Sequence, residues 1–260
     1  MDILETKICN HSSRIFTPKK PKEVVIAIHG FAGDKDSSVI VAIAKNLAEL
    51  GVCTISFDLP CHGADACNFN LNFLDCKNCI AEIISFAENK YKNSPISIFA
   101  TSFGGFLILN YLKTCNKKFK AVILRSPAID MPNILVNKIL PEHNLGLVDF
   151  NKTQNLGYGN PLYVDKKFID DLYANALDKD FIEPNNTYYV LQGLKDDIVD
   201  PNFVFDFCKK HFKNRFFLYK FENADHRYKN PGELEQIVDI THNNLTRINY
   251  INFISISSFI

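Results

Sequence analysis

The sequence predicts an α/β fold, a mostly parallel sheet of about eight strands with helices on both sides. Short β-branched or aromatic runs alternate with longer helical patterns over most of the chain. The inner runs are apolar on both faces, as parallel strands covered by helices on both sides must be. One run, Ile96–Ala100, passes through Thr101-Ser102-Phe103-Gly104 directly into the apolar helix Phe106–Leu112.

Taken in order, Ile3–Ile8 and Ser12–Phe16 are joined by Cys9-Asn10-His11 and read as an antiparallel hairpin. Val24–Ile28, Val52–Phe57, Ile96–Ala100, Ala121–Arg125, Thr187–Leu191 and Phe216–Phe221 are the remaining strands. Ser37–Leu50 is a helix because Val41, Ala44, Leu47 and Ala48 share one stripe. Leu71–Lys90 and Gly104–Cys115 follow their own strands in the same way. Asp200 caps and Pro201 opens the helix running on from Asn202 to Phe212, and Gly232–Leu245 is the last clear helix. Such alternation implies right-handed βαβ crossovers.

The rhythm breaks between Met131 and Asn186, where no strand is predicted. This stretch holds Pro132, Pro141, Gly157-Tyr158-Gly159, Pro161 and an amphipathic helix with Phe168, Ile169, Leu172, Tyr173, Ala176 and Leu177 on one side. An insertion this long in a compact domain is usually functional. The expected organisation is a core of residues 1–130 and 187–260, with 131–186 as a lid.

Composition excludes several classes. With 47% hydrophobic and 22% charged residues, the chain is not disordered, collagenous or a coiled coil. Lys plus Arg and Asp plus Glu are both 29, so charge favours neither nucleic acid nor an anionic membrane as the main partner. Met1–Ile8 carries Asp2 and Glu5 and does not read as a secretory signal. No apolar run approaches the roughly 18 residues of a membrane span. The eight cysteines are therefore expected as reduced thiols in a cytoplasmic protein. Cys76 and Cys79 form a C-x-x-C, but on one face of a helix, which favours buried thiols over a metal site. The apolar tail Asn249–Ile260 is expected to be a packed or poorly ordered terminus rather than a membrane or partner contact.

The chemistry is carried by Ala100-Thr-Ser102-Phe-Gly104. A serine on a sharp strand-to-helix turn projects its hydroxyl above the sheet, and small neighbours are needed where the two backbones nearly touch. The helix N-terminus adds positive potential for a developing anion. A serine nucleophile needs a base, and the base needs an acid to orient it. His226 follows the last strand and lies at the carboxyl end of the sheet. His29 and His62 read as hydrogen-bonded structural histidines, and His242 as a surface residue of a helix. Gln192-Gly-Leu-Lys-Asp196-Asp197 follows the preceding strand and supplies the acid. Asp196 is the first choice, Asp197 stays open, and Asp200 is better explained as a cap. Asp225 is expected to face away. Backbone N–H groups of Phe31, or Ala32, and of Phe103 are placed to hold an oxyanion. Tyr158 and Tyr163 are candidate substrate-binding residues. For these and for Tyr173, packing within the lid is the plainer reading.

On these pieces the chain resembles the α/β-hydrolase superfamily over nearly its whole length, with its chain order Ser, Asp, His. It looks most like compact bacterial carboxylesterases of the cinnamoyl/feruloyl-esterase type, with monoacylglycerol lipases next. The matching pieces are His29-Gly30-Phe31, Asp58-Leu-Pro-Cys-His62-Gly63, the turn at Ser102, Gly193-x-x-Asp196-x-x-Val199 and Asp225-His226. The resemblance implies Ser102 as nucleophile, His226 as base and Asp196 as acid. It implies a small-molecule ester substrate, cleaved through an acyl-enzyme with no metal or organic cofactor; the aromatic and aliphatic content of Met131–Asn186 points to an apolar acyl group, aryl or short-chain. A lipid monoester, thioester or peptide bond on the same triad, or a non-catalytic ligand-binding homologue, are the alternatives. Three positions depart from the family pattern. Ala100 and Cys61 stand where Gly is usual, and Asp65 where Ser is frequent. A Cys61 at positive φ would be strained.

Overall fold

The structure, a computed structural model, describes residues 1–177, 181 and 185–246. The tail 249–260 and positions 178–180 and 182–184 of the predicted lid lie outside the described residues.

The strands are β1 (Asp2–Ile8), β2 (His11–Thr17), β3 (Glu23–Ile28), β4 (Val52–Phe57), β5 (Ile96–Thr101), β6 (Val122–Arg125), β7 (Gln154–Asn155), β8 (Tyr163–Val164), β9 (Tyr188–Gly193) and β10 (Phe216–Phe221). The helices are α1 (Ser38–Glu49), α2 (Phe73–Lys90), α3 (Phe103–Thr114), α4 (Met131–Ile134), α5 (Leu140–Glu142), α6 (Lys166–Ala174), α7 (Pro201–Phe207) and α8 (Glu233–Thr246). Wider π-helical turns, Leu135–Ile139 and Cys208–Phe212, link α4 to α5 and extend α7.

Eight strands form one sheet in the order β1-β2-β4-β3-β5-β6-β9-β10. The β1–β2 and β2–β4 pairings are antiparallel and the rest parallel. The hairpin turns at Cys9 and Asn10, both at positive φ, as a tight turn matched to strand twist requires.

Residues of the central strands alternate between two apolar layers. Val24, Ile26 and Ile28 of β3 join the layer that includes α2 and α3, while Val25 and Ala27 join the layer of α1 and α8. Ile123 of β6 belongs to the second layer and Val122 and Leu124 to the first. This period of two explains the continuous apolar runs in the sequence. Cys76 and Cys79 are buried in α2, as their spacing predicts.

One expectation is corrected. Between Met131 and Asn186 the chain is not strand-free, because β7 and β8 pair antiparallel. Two-residue strands are too short to leave a periodic signal. The same segment buries Met131, Leu135, Leu140, Phe150, Leu156, Phe168 and Leu172 in the first apolar layer.

Candidate active site

The site is assembled at the carboxyl end of the sheet. Ser102 sits between β5 and α3 with φ 51° and ψ −116°, a conformation L residues rarely adopt. Its amide donates to the Arg125 carbonyl of β6 at 3.0 Å, and its carbonyl accepts from Gly105 N at 2.9 Å. The turn is possible because its neighbours lack side chains. A Cβ on Gly104 would stand 2.5 Å from the His29 carbonyl, and one on Gly30 would stand 3.2 Å from Ser102 Cβ.

His226 lies in the loop after β10. Its Nε2 is 3.1 Å from Ser102 Oγ, and its Nδ1 is 2.9 and 3.0 Å from the two oxygens of Asp196. Asp196, and not the exposed Asp197, is therefore the carboxylate that meets the imidazole. Its oxygens also accept from Val199 N (2.8 Å), Ile198 N (3.1 Å) and Gln192 Nε2 (3.1 Å). Burial pushes the Asp196 carboxyl up, but the hydrogen bond and charge of His226, with the Val199 amide and the Ser126 hydroxyl, outweigh it and hold it below the usual carboxylate range. Asp200 caps α7 by accepting from Asn202 N, as expected.

Sequence reasoning passed over Gln192 and Tyr228. The signal for Gln192 was its place as a polar residue inside an apolar run. Tyr228, at φ 54°, donates its hydroxyl to the Leu191 carbonyl at 3.1 Å and ties the His226 loop to β9.

His29 and His62 serve the loops beneath the site. His29 Nε2 accepts from Leu59 N at 3.0 Å, so its proton is on Nδ1, which donates to the Gly30 carbonyl at 2.8 Å. The rings of His29 and His62 lie 5.1 Å apart, and His62 packs edge-on against Phe31. Burial lowers His29 from 6.5 to about 4 and His62 from 6.5 to about 3. The unfolded chain therefore takes up protons that the folded chain refuses once the pH drops below 6.5. Stability should fall from pH 6.5 towards 4, with His29 alone contributing about 3 kcal/mol to the loss. Urea unfolding at several pH values checks this, and a midpoint constant across that window would contradict it.

Nearby, Cys61 does adopt positive φ, at 62°, and its Sγ lies 2.6 Å from Cys67 Sγ. Asp65 accepts from Ser12 N and Ser12 Oγ, both at 2.6 Å, pinning this loop to β2. The departures at Cys61 and Asp65 thus have local structural partners. His242 is half-buried and bonds Asn46 of α1 at 2.9 Å.

A cavity of about 560 Å³ opens on Ser102 and His226. Phe31, Met131, Ile134, Ile139 and Ile198 form its apolar lining. Glu142, Asp197, Asp225, Arg227 and Lys229 bring charge to it. Asp225 does not face away as expected. Its carboxylate turns back to accept from Arg227 N at 2.9 Å, which keeps it at the cavity edge. Tyr158 lines this cavity, with its hydroxyl on Glu142 at 2.5 Å. Tyr163 does not line it. It belongs to β8, where its carbonyl accepts from Leu71 N at 2.7 Å. Among the described residues no group of three His, Cys, Asp or Glu side chains is placed to hold a metal, and no helix is long and apolar enough to cross a membrane.

A profile of a hydrolase family described as serine aminopeptidase, S33, matches residues 19–196, well over half the chain. The chain belongs to this family. The matched region of this S33 family member runs from before β3 through the Ser102 turn to Asp196, and His226 lies beyond it. No curated protein matches the sequence. Among solved structures, a ferulic acid complex of Est1E from Butyrivibrio proteoclasticus is similar at TM-score 0.75 and 18% identity, covering 93% of this chain and 99% of that one. Mouse alpha/beta hydrolase domain-containing protein 10 is similar at TM-score 0.75 and 16% identity, covering 95% and 100%. At such identities the likeness establishes the shared α/β-hydrolase fold.

Proposed function

We propose that this S33 family member is a serine hydrolase that cleaves carboxylic esters by two-step acyl transfer. The observation that carries the reading is the continuous contact Ser102 Oγ–His226 Nε2–His226 Nδ1–Asp196, at 3.1 and 2.9 Å. In the first step His226 takes the Ser102 proton as Oγ attacks the ester carbonyl, and Asp196 stabilises the resulting imidazolium. The negative oxygen is held by the backbone N–H groups of Phe31 and Phe103, each such donor lowering the barrier by about 3–4 kcal/mol. His226 then gives its proton to the departing alcohol. Water, deprotonated by the same imidazole, releases the acid and restores Ser102.

Residues 131–186 act as the lid over the core of 1–130 and 187–260. Met131, Ile134, Ile139 and Tyr158 supply the wall of the larger cavity from this segment. That wall suits a short-chain or aryl acyl group, and the ferulic acid bound to the fold relative Est1E carries an aryl acyl group of this kind.

A fluorophosphonate probe together with a hydrolysis panel tests the reading. The panel holds p-nitrophenyl acetate, methyl ferulate, a monoacylglycerol and an acyl thioester. Labelling at Ser102 with fastest turnover of the first two is expected. Fastest turnover of the monoacylglycerol or the thioester would move the substrate class. An unlabelled Ser102 with no turnover would mark a ligand-binding homologue.

A further inference from the structure

A second cavity, of about 320 Å³, meets the first at Ser102 and His226 but opens towards the layer of α1 and α8. Its lining differs in kind. Arg125 at the end of β6 is only 7% exposed, and Thr101, its cross-strand partner, only 9%. Both side chains line the cavity. Thr101 Oγ1 and Arg125 Nε have no hydrogen-bond partner. The guanidinium makes one long hydrogen bond, to the His226 carbonyl at 3.3 Å, and stands over the Tyr228 ring at 4.3 Å. Asp196, Asp225 and Glu233 are the acids that act on it, and among the described residues none forms an ion pair with it.

A buried cation without a paired anion is costly and asks for a partner. The cavity offers room for one. Its other wall is the start of α1, where Ser37 caps without a side-chain bond and no acidic residue stands in the first turn. The free N–H groups and dipole of that terminus favour negative charge. Arg227 adds a second cation at the mouth.

We propose that this smaller cavity is a subsite for an anionic oxygen group, carboxylate or phosphate, carried by the substrate on the limb opposite the one in the larger cavity. The proposal rests on the hydrolase reading above and narrows its substrate class to esters bearing such a group. Arg125 and the start of α1 hold the anion, and the Ser102 turn lies between the two limbs.

The test compares isosteric charged and neutral esters. Monomethyl adipate is set against methyl adipamate for an anion on the acyl limb. O-butyryl glycolate is set against O-butyryl glycolamide for one on the alcohol limb, with O-butyryl ethylene glycol phosphate separating phosphate from carboxylate. The charged member of one pair is expected to have a kcat/KM about tenfold higher, mainly through KM. Arg125→Met should abolish that preference. Ser37→Asp keeps a good helix cap and puts a carboxylate in the cavity, so it should reverse the preference in a well-folded protein. Turnover of the neutral esters with no preference for either charged partner overturns the subsite and leaves the hydrolase reading standing. A preference that survives both substitutions also overturns it. No turnover of any ester, with Ser102 unlabelled by fluorophosphonate, removes both.

Discussion

Replacing Ser102 by glycine is expected to abolish ester turnover and, in the same molecule, to raise the melting temperature. Ser102 holds φ 51° and ψ −116° because β5 and α3 are fixed by their own packing, so the strain is imposed on the turn. A non-glycine residue there costs about 1–3 kcal/mol, and glycine adopts the conformation freely. Glycine also makes the unfolded chain more flexible, which cancels part of the gain. A net gain near 1 kcal/mol corresponds to about 2–4 °C for a domain of this size. Removing the nucleophile should lower kcat by about 10⁶-fold. Ser102→Ala separates the effects, since it loses the same activity and keeps the strain. Calorimetry beside p-nitrophenyl acetate turnover reads both. Activity in either variant would rule out Ser102 as nucleophile. A glycine variant less stable than the alanine one would rule out the strain.

The second large effect belongs to Asp196→Asn. The carboxylate accepts from His226 Nδ1 and from the Val199 and Ile198 amides. Asparagine can keep the amide contacts through its carbonyl. Its NH₂ group facing Nδ1, however, favours the imidazole tautomer that carries its proton on Nε2, where the base is needed. A loss of about 10⁴-fold in kcat is expected, with little change in KM. The exposed neighbour is the internal comparison. Asp197→Asn should have a far smaller effect, felt in KM because Asp197 lines the larger cavity. The opposite ranking would transfer the acid role to Asp197. Stability should also respond. Because Asp196 is held below its ordinary pKa, its contribution is present above that value and lost as pH falls through the folded pKa. The asparagine variant should lack this part of the acid sensitivity, leaving the part from His29 and His62.

Much of this molecule was legible in its sequence. The five inner strands β3, β4, β5, β6 and β9 were readable because both faces are buried, so each is a short, mostly apolar run; β10, at the sheet edge and half-exposed, was readable from its aromatic residues instead. The turn at Ser102 was readable because steric closeness demands small residues at fixed offsets, and Gly104 against the His29 carbonyl shows how little room there is. The antiparallel hairpin was readable from its short loop. Local chemistry of this kind is written in neighbouring residues.

What only the tertiary structure decided involves residues far apart in the chain. Asp196 and Asp197 are equivalent as letters; the amides of Ile198 and Val199 and the approach of His226 turn one inward and leave the other in solvent. Tyr158 and Tyr163 looked alike, but β8 carries Tyr163 against Leu71 while Tyr158 reaches the cavity. Arg125 reads as the polar end of a strand until α1, α8 and the His226 loop enclose it beside an open cavity. Composition and periodicity determine which face of an element is apolar. Which polar groups meet is set by register and by the packing of elements against one another, and no local pattern encodes that distance.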